Sequence, residues 1–528
     1  MTRSRRCAWL AGYAAVTFLA FPHPVGGTTL DLGGLLGWAS PALLILGLRG
    51  LAPGAAARWG FGASLLAHSA VLHWIYVVTV VYGHAPPIVG VVAPVLLAAY
   101  IAVFGALFAA GHVALVRRGL ASPWTVALLW TALDHLRSFA LSGFPWATLG
   151  YAQHLNPWLL PLAAWGGVYA LSFTTALGGG FLAACADPQA RWRAATWLAL
   201  AGVGVAHLLG ALAPDPEADG TRETVRVAVV QGNIDQGAKW NRAFAERTLV
   251  IYEGLTREAS AAGAQVVVWP ETAVPGAIDG DPNLRARLEA LARETDTQLI
   301  VGAVGLEFDG RPEAQRYYDS AFVIDPTVGF TDRYDKTHLV PFGEYVPLRS
   351  LIGMFVGAVA SGIAGADVTP GERPRGVVID PGDGELRVGV VICFELLFPD
   401  LVRRFAADGS ELLLAITNDA WYGRTGAPHQ FLAITALRSA ETGLWTARAA
   451  NTGISAFIDG RGRVVQSTPI FEPAWRIADV PRARDPSRGT FFVRHGNVFA
   501  GACWASLAGV VLLAWRRKGP GSVRESGG

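Results

Sequence analysis

Apolar residues are distributed very unevenly along this chain, and this distribution constrains the fold more than any motif does. Residues 8–213 are a series of apolar stretches, residues 214–494 have an ordinary polar composition, and a last apolar run at 498–515 precedes three basic residues. Only 16% of all residues are charged, whereas roughly a quarter are charged in a typical soluble domain. The pattern predicts a bundle of membrane-spanning helices that carries a folded polar insert.

A helix needs about 20 apolar residues to cross a bilayer. We predict about eight such spans, seven before the insert and one after it, at residues 8–21, 31–48, 60–81, 88–115, 123–140, 157–184, 194–213 and 497–515. The fifth stretch contains Asp134, His135 and Arg137, so we expect it to be partly amphipathic or to face the interior of the bundle.

Basic residues support this arrangement because they occur in alternate connections between the spans. Those connections carry Arg3, Arg5 and Arg6; Arg49 and Arg58; Arg117 and Arg118; Arg191 and Arg193; and Arg516, Arg517 and Lys518. Cytoplasmic loops are enriched in Lys and Arg, so both termini are expected in the cytoplasm and the insert on the other side of the membrane. The first stretch could instead be a cleaved signal peptide, but no small-residue cleavage site follows it.

The chain is therefore divided into a seven-span bundle at residues 1–213, an insert domain at 224–480 and a last span at 497–515. The insert alternates short, often Val-rich segments with longer segments of helical periodicity. The strand-like segments are 224–231, 264–269, 298–304, 318–324, 386–392, 411–416, 444–450 and 454–458, and the helical ones are 241–262, 283–296, 396–407 and 429–442. Such alternation predicts an α/β fold with a largely buried sheet.

Cys393 is the residue of the insert that most suggests chemistry. The other cysteines, Cys7, Cys185 and Cys503, all lie in or beside predicted spans, whereas Cys393 ends a strand-like run and precedes a predicted helix. A thiol at a helix N-terminus is expected to have a lowered pKa. With Glu271 and Lys336 at the edges of other strand-like segments, the insert has the groups needed for nucleophilic catalysis. The alternative is a small buried residue, as most free cysteines are.

Three segments carry a resemblance to a known family. VVVWPE at 266–271, YDKTHLVPFGEYVP at 334–347 and VGVVICFE at 388–395 resemble, in that order, the Glu-Lys-Cys set of the nitrilase (carbon–nitrogen hydrolase) superfamily. Together with the predicted spans and the segments GFPWATLGYAQ, QGNIDQGAKW and NDAWYG, the whole chain resembles the bacterial apolipoprotein N-acyltransferase family. The resemblance implies a membrane helical bundle joined to a nitrilase-like α-β-β-α sandwich.

The resemblance also implies roles for particular residues. Glu271 would be the general base, Lys336 would stabilise the oxyanion and Cys393 would carry the acyl group as a thioester. Glu344 and Glu395 would support Lys336 and the intermediate, with a structural salt bridge as the alternative. The alternative for Glu271 is a helix-capping or surface carboxylate, but its Trp-Pro-Glu context at a strand end favours catalysis. Without the resemblance, Lys336 would be a solvated loop lysine.

Substrate contacts are expected from Trp240, Phe394, Met354 and Phe355. Phe394 stands where the family pattern predicts Tyr, which removes any phenolic hydroxyl from that position. Met354 and Phe355 lie in an apolar, glycine-rich stretch at 351–365 that is too short for a span. We interpret this stretch as an arm that enters the outer leaflet, or else as a loop packed on its own domain. His338 and His429 are alternative bases that the reaction does not need beside Glu271.

The implied reaction is a two-step acyl transfer at the periplasmic face of the inner membrane. A phospholipid, expected to be phosphatidylethanolamine, would acylate Cys393, and the α-amine of diacylglyceryl-cysteine in an apolipoprotein would take the acyl group as an amide. One rival is a membrane-tethered amidase acting on a soluble amide, and another is a transporter or scaffold with an inactive insert. No cofactor or metal is expected because His and Cys are dispersed. The sequence has no basic stripe, so nucleic acid is not expected as a partner.

Overall fold

A computed structural model describes residues 1–188, 190, 193–213, 223–235, 242–308, 315–346, 367–382, 384–483 and 489–516. They form two compact units. The helical unit comprises Met1–His73, Val91–Ala213 and the chain from Asn497 onward, and the sheet unit comprises Trp74–Gly90 and Pro214–Gly496.

Each predicted apolar stretch contains an α-helix. The helices before the insert are α1 (Arg3–Leu19), α2 (Ala39–Leu48), α3 (Pro53–Val71), α4 (Pro87–Arg117), α5 (Pro123–Arg137), α6 (Ala163–Cys185) and α7 (Ala194–Ala211), and a further helix follows the insert at Val498–Arg516. Within the described residues, three helices are long and apolar enough to cross a membrane, namely Pro87–Arg117, Leu160–Cys185 and Ala194–Ala211. The chain is thus a membrane protein, and the count of eight spans stays a prediction.

The third predicted span differs from the structure at its end. Helix α3 stops at Val71, and a six-residue π-helical turn at Val77–Tyr82 lies in the segment that belongs to the sheet unit. Aromatic side chains explain this grouping, because Trp74 contacts Tyr422 edge-to-face with ring centroids 5.0 Å apart. The predicted span 60–81 therefore covers two different segments. Its first part is the end of helix α3 in the helical unit, and its last part, from Trp74 onward, belongs to the sheet unit.

Helix α5 shows why an ionisable sequence can sit inside an apolar bundle. It begins at Pro123 behind a capping box in which Ser122 and Thr125 bond each other's backbone N–H groups. Near its other end Asp134 and Arg137 are both buried and form an ion pair at 3.4 Å. The expectation that this stretch faces the interior is confirmed, since a charged pair in a bundle is stable only when it is satisfied internally.

Two six-stranded sheets make up the sheet unit. The helical unit has a short hairpin of its own, β1 (His23–Val25) with β2 (Thr28–Leu30). The strands of the sheet unit are β3 (Thr224–Gln231), β4 (Val266–Val268), β5 (Gln298–Phe308), β6 (Gln315–Asp325), β7 (Gly329–Asp335), β8 (Val377–Ile379), β9 (Leu386–Ile392), β10 (Leu412–Thr417), β11 (Thr446–Ala450), β12 (Ala456–Ile458), β13 (Val464–Ser467) and β14 (Ala474–Pro481). Their orders are β14-β3-β4-β5-β6-β7 and β13-β12-β11-β10-β9-β8.

Helices cover both sheets, as the α-β-β-α expectation requires. The helices are α8 (Arg242–Ala261), α9 (Pro282–Thr295), α10 (Pro399–Ala407), α11 (Ala427–Thr442) and α12 (Phe491–His495). Helices α8 and α9 pack on the first sheet, α10 packs on β9 of the second, and the sheets meet through β3 and β11. The central strands β3-β4-β5 and β9-β10-β11 run parallel. Parallel strands buried on both faces are rich in Val and Ile. Glu271, Cys393 and Asn418 lie just after the carboxyl ends of β4, β9 and β10.

Candidate active site

Cys393 lies on a strained turn directly after β9. Its φ is +47°, a left-handed conformation that costs about 1–3 kcal/mol for a residue with a side chain and that clusters at functional sites. The residue opens a five-residue 3₁₀ turn, Cys393–Leu397, and is 8% exposed. The backbone N–H of Ile392 just before it donates to Glu395 Oε2 at 2.9 Å. Glu395, a residue of the turn itself, therefore fixes the backbone around Cys393.

The expectation of a lowered pKa for Cys393 is wrong. Burial raises the pKa of this thiol well above its ordinary value, the negative charge of Glu271 raises it further, and Lys336 only partly opposes them. The single turn that follows Cys393 is too short to offer the dipole that a full helix would. Cys393 is accordingly a protonated thiol at rest and needs a base to become a nucleophile.

Glu271 follows β4 and is held by donors from two other parts of the chain. The backbone N–H of Asn418, after β10, donates to Oε2 at 2.7 Å, and Lys336 Nζ donates to Oε1 at 3.2 Å. The turn of Glu271 lies so close to β5 that a Cβ on Gly302 would lie 2.2 Å from the carbonyl oxygen of Pro270. Glycine at 302 is what lets the carboxylate approach the sheet edge.

Lys336 is completely buried and ionised among carboxylates. It follows β7, and its ammonium bonds Glu271, Asp319 at 3.1 Å and Glu344 at a shorter distance. Burial lowers the pKa of Lys336, but Glu344, Glu271 and Asp319 together raise it well above the ordinary value. The lysine therefore remains a cation in a site of low dielectric, where a positive charge stabilises a developing oxyanion strongly.

The site draws on two more carboxylates that the resemblance implied, the partly buried Glu344 and the buried Glu395. Glu344 Oε2 also accepts from the backbone N–H of Val340 at 2.8 Å. Glu395 Oε1 accepts from the Tyr334 hydroxyl at 2.7 Å and from the backbone N–H of Thr337 at 2.8 Å. Since Thr337 adjoins Lys336, Glu395 links the nucleophile turn to the lysine loop. These contacts suit the supporting roles, which remain proposals.

Asp319 is a member of the cluster that the sequence reasoning missed. It lies inside β6, and its buried carboxylate bonds Lys336. The signal was present in the sequence as an ionisable residue within the apolar strand-like segment 318–324.

One oxygen from each of Glu271, Asp319 and Glu344 lies within 4.8 Å of one from each of the others, a spacing that would also suit a metal ion. The Lys336 ammonium bonds all three carboxylates and so takes the place of such a cation.

The remaining predicted residues have different outcomes. The ring of Phe394 lies against those of His338 and Phe398, with centroids 5.7 and 5.3 Å away. Burial, with Lys336 nearby, lowers the pKa of His338 to about 4, so it is a neutral packing residue at neutral pH. His429 lies in the first turn of α11. The described residues do not include Trp240, Met354, Phe355 or the rest of the 351–365 stretch.

Two stacked sheets that bring a buried thiol to a carboxylate–lysine cluster define a nitrilase-type catalytic domain. Residues 226–484 match the family model for carbon–nitrogen hydrolases. Residues 13–181 match a second family model, that of the apolipoprotein N-acyltransferase N-terminal domain.

Whole-chain comparisons give the same family. The chain is 40% identical to an apolipoprotein N-acyltransferase of Geobacter metallireducens over 92% of its own length and 91% of the relative's. It is 31% identical to one of Vibrio vulnificus over 98% of both. The chain belongs to the apolipoprotein N-acyltransferase family. A solved amidase of Nesterenkonia sp. AN1 matches 53% of this chain and 99% of its own at 20% identity, with a TM-score of 0.38, which bears on neither substrate nor reaction.

Proposed function

We propose that this enzyme moves a fatty acyl chain from a phospholipid to the N-terminal α-amine of diacylglyceryl-cysteine in an apolipoprotein. The observation that carries the proposal is the cluster of Cys393, Glu271 and Lys336 in a chain of this family. The donor is proposed to be phosphatidylethanolamine, the site to face the periplasm and the chain to lie in the inner membrane with both termini in the cytoplasm.

In the first half-reaction Glu271 takes the proton of the Cys393 thiol and the thiolate attacks the ester carbonyl carbon of the phospholipid at sn-1. The carbonyl oxygen becomes an oxyanion, which the Lys336 ammonium stabilises. Collapse of the tetrahedral intermediate breaks the ester C–O bond, and Glu271 returns its proton to the leaving alkoxide. Lysophospholipid departs and the acyl group stays on Cys393 as a thioester.

In the second half-reaction the acceptor amine attacks the thioester carbonyl. Glu271 accepts a proton from the amine nitrogen, the C–S bond breaks and the Cys393 sulfur is reprotonated as the amide leaves. Water would compete with the amine, so the intermediate must be shielded. The 8% exposure of Cys393 provides such shielding within the sheet unit, and Trp240, Phe394, Met354 and Phe355 are proposed to contact the substrates.

Mass spectrometry of the purified enzyme after incubation with phosphatidylethanolamine alone tests this proposal. An acyl mass on the Cys393 peptide and one equivalent of lysophospholipid are expected, and Cys393→Ala should give neither. Cys503→Ala is the matched control, because Cys503 is also a buried free thiol. Free fatty acid without an adduct, or turnover of a soluble amide, would favour the amidase rival.

A further inference from the structure

Asp319 has no role in the two half-reactions, yet it contacts Lys336 twice. Its Oδ2 accepts a hydrogen bond from Lys336 Nζ at 3.1 Å, and its backbone carbonyl accepts one from the Lys336 N–H at 2.9 Å. We infer that Asp319 is held as a neutral carboxylic acid, a positioning residue that limits the negative charge facing Lys336 and Cys393. The inference deepens the proposed function and rests on Cys393 as its nucleophile.

The charges around Lys336 do not balance if every carboxylate is ionised. Glu271, Asp319 and Glu344 would bring three negative charges against one ammonium, all of them largely buried. Uncompensated charge is costly in a low-dielectric interior, and a group in that position takes up a proton instead. At least one of the three carboxylates is therefore protonated.

The hydrogen bonds indicate which carboxylate keeps the proton. Besides Lys336, Glu271 has the N–H of Asn418 as a donor and Glu344 has that of Val340. Asp319 has the ammonium alone, and its Oδ1 has no donor among the residues that the structure describes. Donors stabilise the ionised form of a carboxylate, so Asp319 is the least stabilised anion. Burial also raises the pKa of Asp319 well above its ordinary value, Lys336 opposes this, and Glu271 and Glu344 add to it.

A proton on Oδ1 also gives Asp319 something to donate. Glu271 is the neighbouring acceptor, because one carboxylate oxygen of Glu271 and one of Asp319 lie within 4.8 Å of each other. Asp319 then accepts from Lys336 with one oxygen and donates towards the base with the other. This arrangement orients both the cation and the base without adding a charge.

No other charged group within the described residues takes over this part. On β5 the residue opposite Asp319 is Val304. On β7, Asp335 lies opposite the neighbouring Ser320 and already bonds Ser320 and Arg333. The titratable groups that act most strongly on Asp319 are Lys336, Glu271 and Glu344. Those acting on Cys393 are Glu271, Lys336, Asp419 and Glu344.

The neutral state of Asp319 has a consequence for Cys393. If Asp319 ionised, its charge would be added beside Lys336, whose positive charge lowers the pKa of the Cys393 thiol. Less of that positive charge would remain to stabilise the thiolate and the oxyanion. Ionisation of Asp319 at high pH should therefore slow the enzyme, and an uncharged replacement of the same shape should not respond to pH in this way.

The test compares the wild type, Asp319→Asn and Asp319→Ala as full-length proteins in detergent micelles. Alkylation of Cys393 by iodoacetamide is followed against pH by peptide mass spectrometry, with the exposed Cys7 as an internal reference. Through neutral pH, the Asp319→Asn profile should coincide with that of the wild type. Where Asp319 ionises, the wild type should fall below the variant. Acyl transfer from phosphatidylethanolamine should stay within about threefold of wild type in Asp319→Asn and drop about tenfold or more in Asp319→Ala, which keeps the backbone contact with Lys336 but loses the side-chain hydrogen bond.

Two results would overturn the inference. If Asp319→Asn alkylated about tenfold faster than wild type at neutral pH, the native residue would be an anion there, since one pKa unit corresponds to tenfold in thiolate. If Asp319→Asn lost acyl transfer as fully as Asp319→Ala, a carboxylate would be required. Failure of the proposed function would instead abolish the acyl adduct in the wild type and leave the alkylation profiles unchanged.

Discussion

The backbone N–H of Asn418 donates a hydrogen bond of 2.7 Å to Glu271 Oε2, so the end of β10 fixes the carboxylate that follows β4. Lys336 holds the other oxygen, Oε1, at 3.2 Å. Each oxygen keeps a lone pair that can accept a proton. A carboxylate oriented in this way, beside a thiol whose pKa is raised by burial, is suited to general base catalysis.

Replacing Glu271 with Gln tests the base directly. The amide keeps the size of the side chain but cannot take a proton from Cys393, and general base catalysis contributes about 10² to 10⁴ in rate. We expect the acyl adduct on Cys393 to form at least ~100-fold more slowly in Glu271→Gln, as followed by time-resolved mass spectrometry. Glu294→Gln is the control, an exposed carboxylate paired with Arg257. Acylation of Glu271→Gln at the wild-type rate would assign the base to another residue.

The raised pKa of Cys393 predicts a pH dependence with a definite sign. Because the folded state favours the thiol, the midpoint for alkylation of Cys393 should lie above the range in which ordinary thiols titrate, about pH 8.5. By linkage, the stability that the buried thiol contributes is present below the unfolded pKa and is lost as the pH rises towards the folded one.

The midpoint of the alkylation profile, rather than the absolute rate, is the measurement, because burial also slows access. Cys7 and Cys185 are exposed and serve as references in the same sample. A Cys393 midpoint below theirs would contradict the prediction and restore the lowered pKa that the sequence suggested.

The sequence suggested a lowered pKa for Cys393, whereas the structure gives a raised one. The strands likewise show which features could be predicted from the sequence and which could not. The segments that become β3 and β9 were predicted with their observed bounds, because short Val-rich, mostly apolar runs are typical of buried strands. Strands β7, β8, β13 and β14 were missed. Strands β7, β13 and β14 are half-exposed or exposed along most of their length, and β8 is a segment of three residues. None of them has the long buried apolar run on which such predictions depend.

The candidate site, too, could be predicted from the sequence only in part. Motifs identified Glu271, Lys336 and Cys393, but spacing along the chain does not reveal how many carboxylates meet one ammonium. Asp319 reaches Lys336 because β6 pairs with β7, with Ser320 opposite Asp335. That pairing also sets the charge of the site, and so the pKa of Cys393 followed from the tertiary structure rather than from the helix that was expected after it.

The proposed membrane orientation can be tested with two native cysteines. Cys7 and Cys185 are exposed and lie beside stretches whose flanking arginines predict the cytoplasmic side. Val328, in the turn between β6 and β7, is 77% exposed, and Val328→Cys should report the periplasmic side. A membrane-impermeant maleimide should label residue 328 in spheroplasts, and Cys7 and Cys185 only after permeabilisation. Labelling of Cys7 in intact spheroplasts would reverse the orientation.

Arg448 and Asp419 form a completely buried ion pair next to Asn418, the residue whose N–H holds the base Glu271. Arg448 Nη2 donates to Asp419 Oδ2 at 2.6 Å, and Nη1 donates to Thr435 at 3.2 Å. Asp419 immediately follows Asn418, whose N–H holds Glu271. Removing one partner of a buried pair leaves an uncompensated charge, which costs about 3–5 kcal/mol. We therefore expect Arg448→Met to lower the unfolding midpoint clearly and to slow acylation of Cys393.

A double-mutant cycle measures whether the pair acts as a unit. Arg448→Met combined with Asp419→Asn should be less destabilised than the sum of the single variants, with a coupling of roughly 1–3 kcal/mol, because no lone charge remains buried. Arg226→Met is the matched control: Arg226 pairs with Asp479 at 3.3 Å, but their side chains are 47% and 63% exposed, and surface pairs contribute about 0–1 kcal/mol. Unfolding followed by tryptophan fluorescence in micelles gives all the values. If the effects of the two single substitutions simply add, Arg448 does not act through Asp419 to stabilise the turn after β10 that carries Asn418.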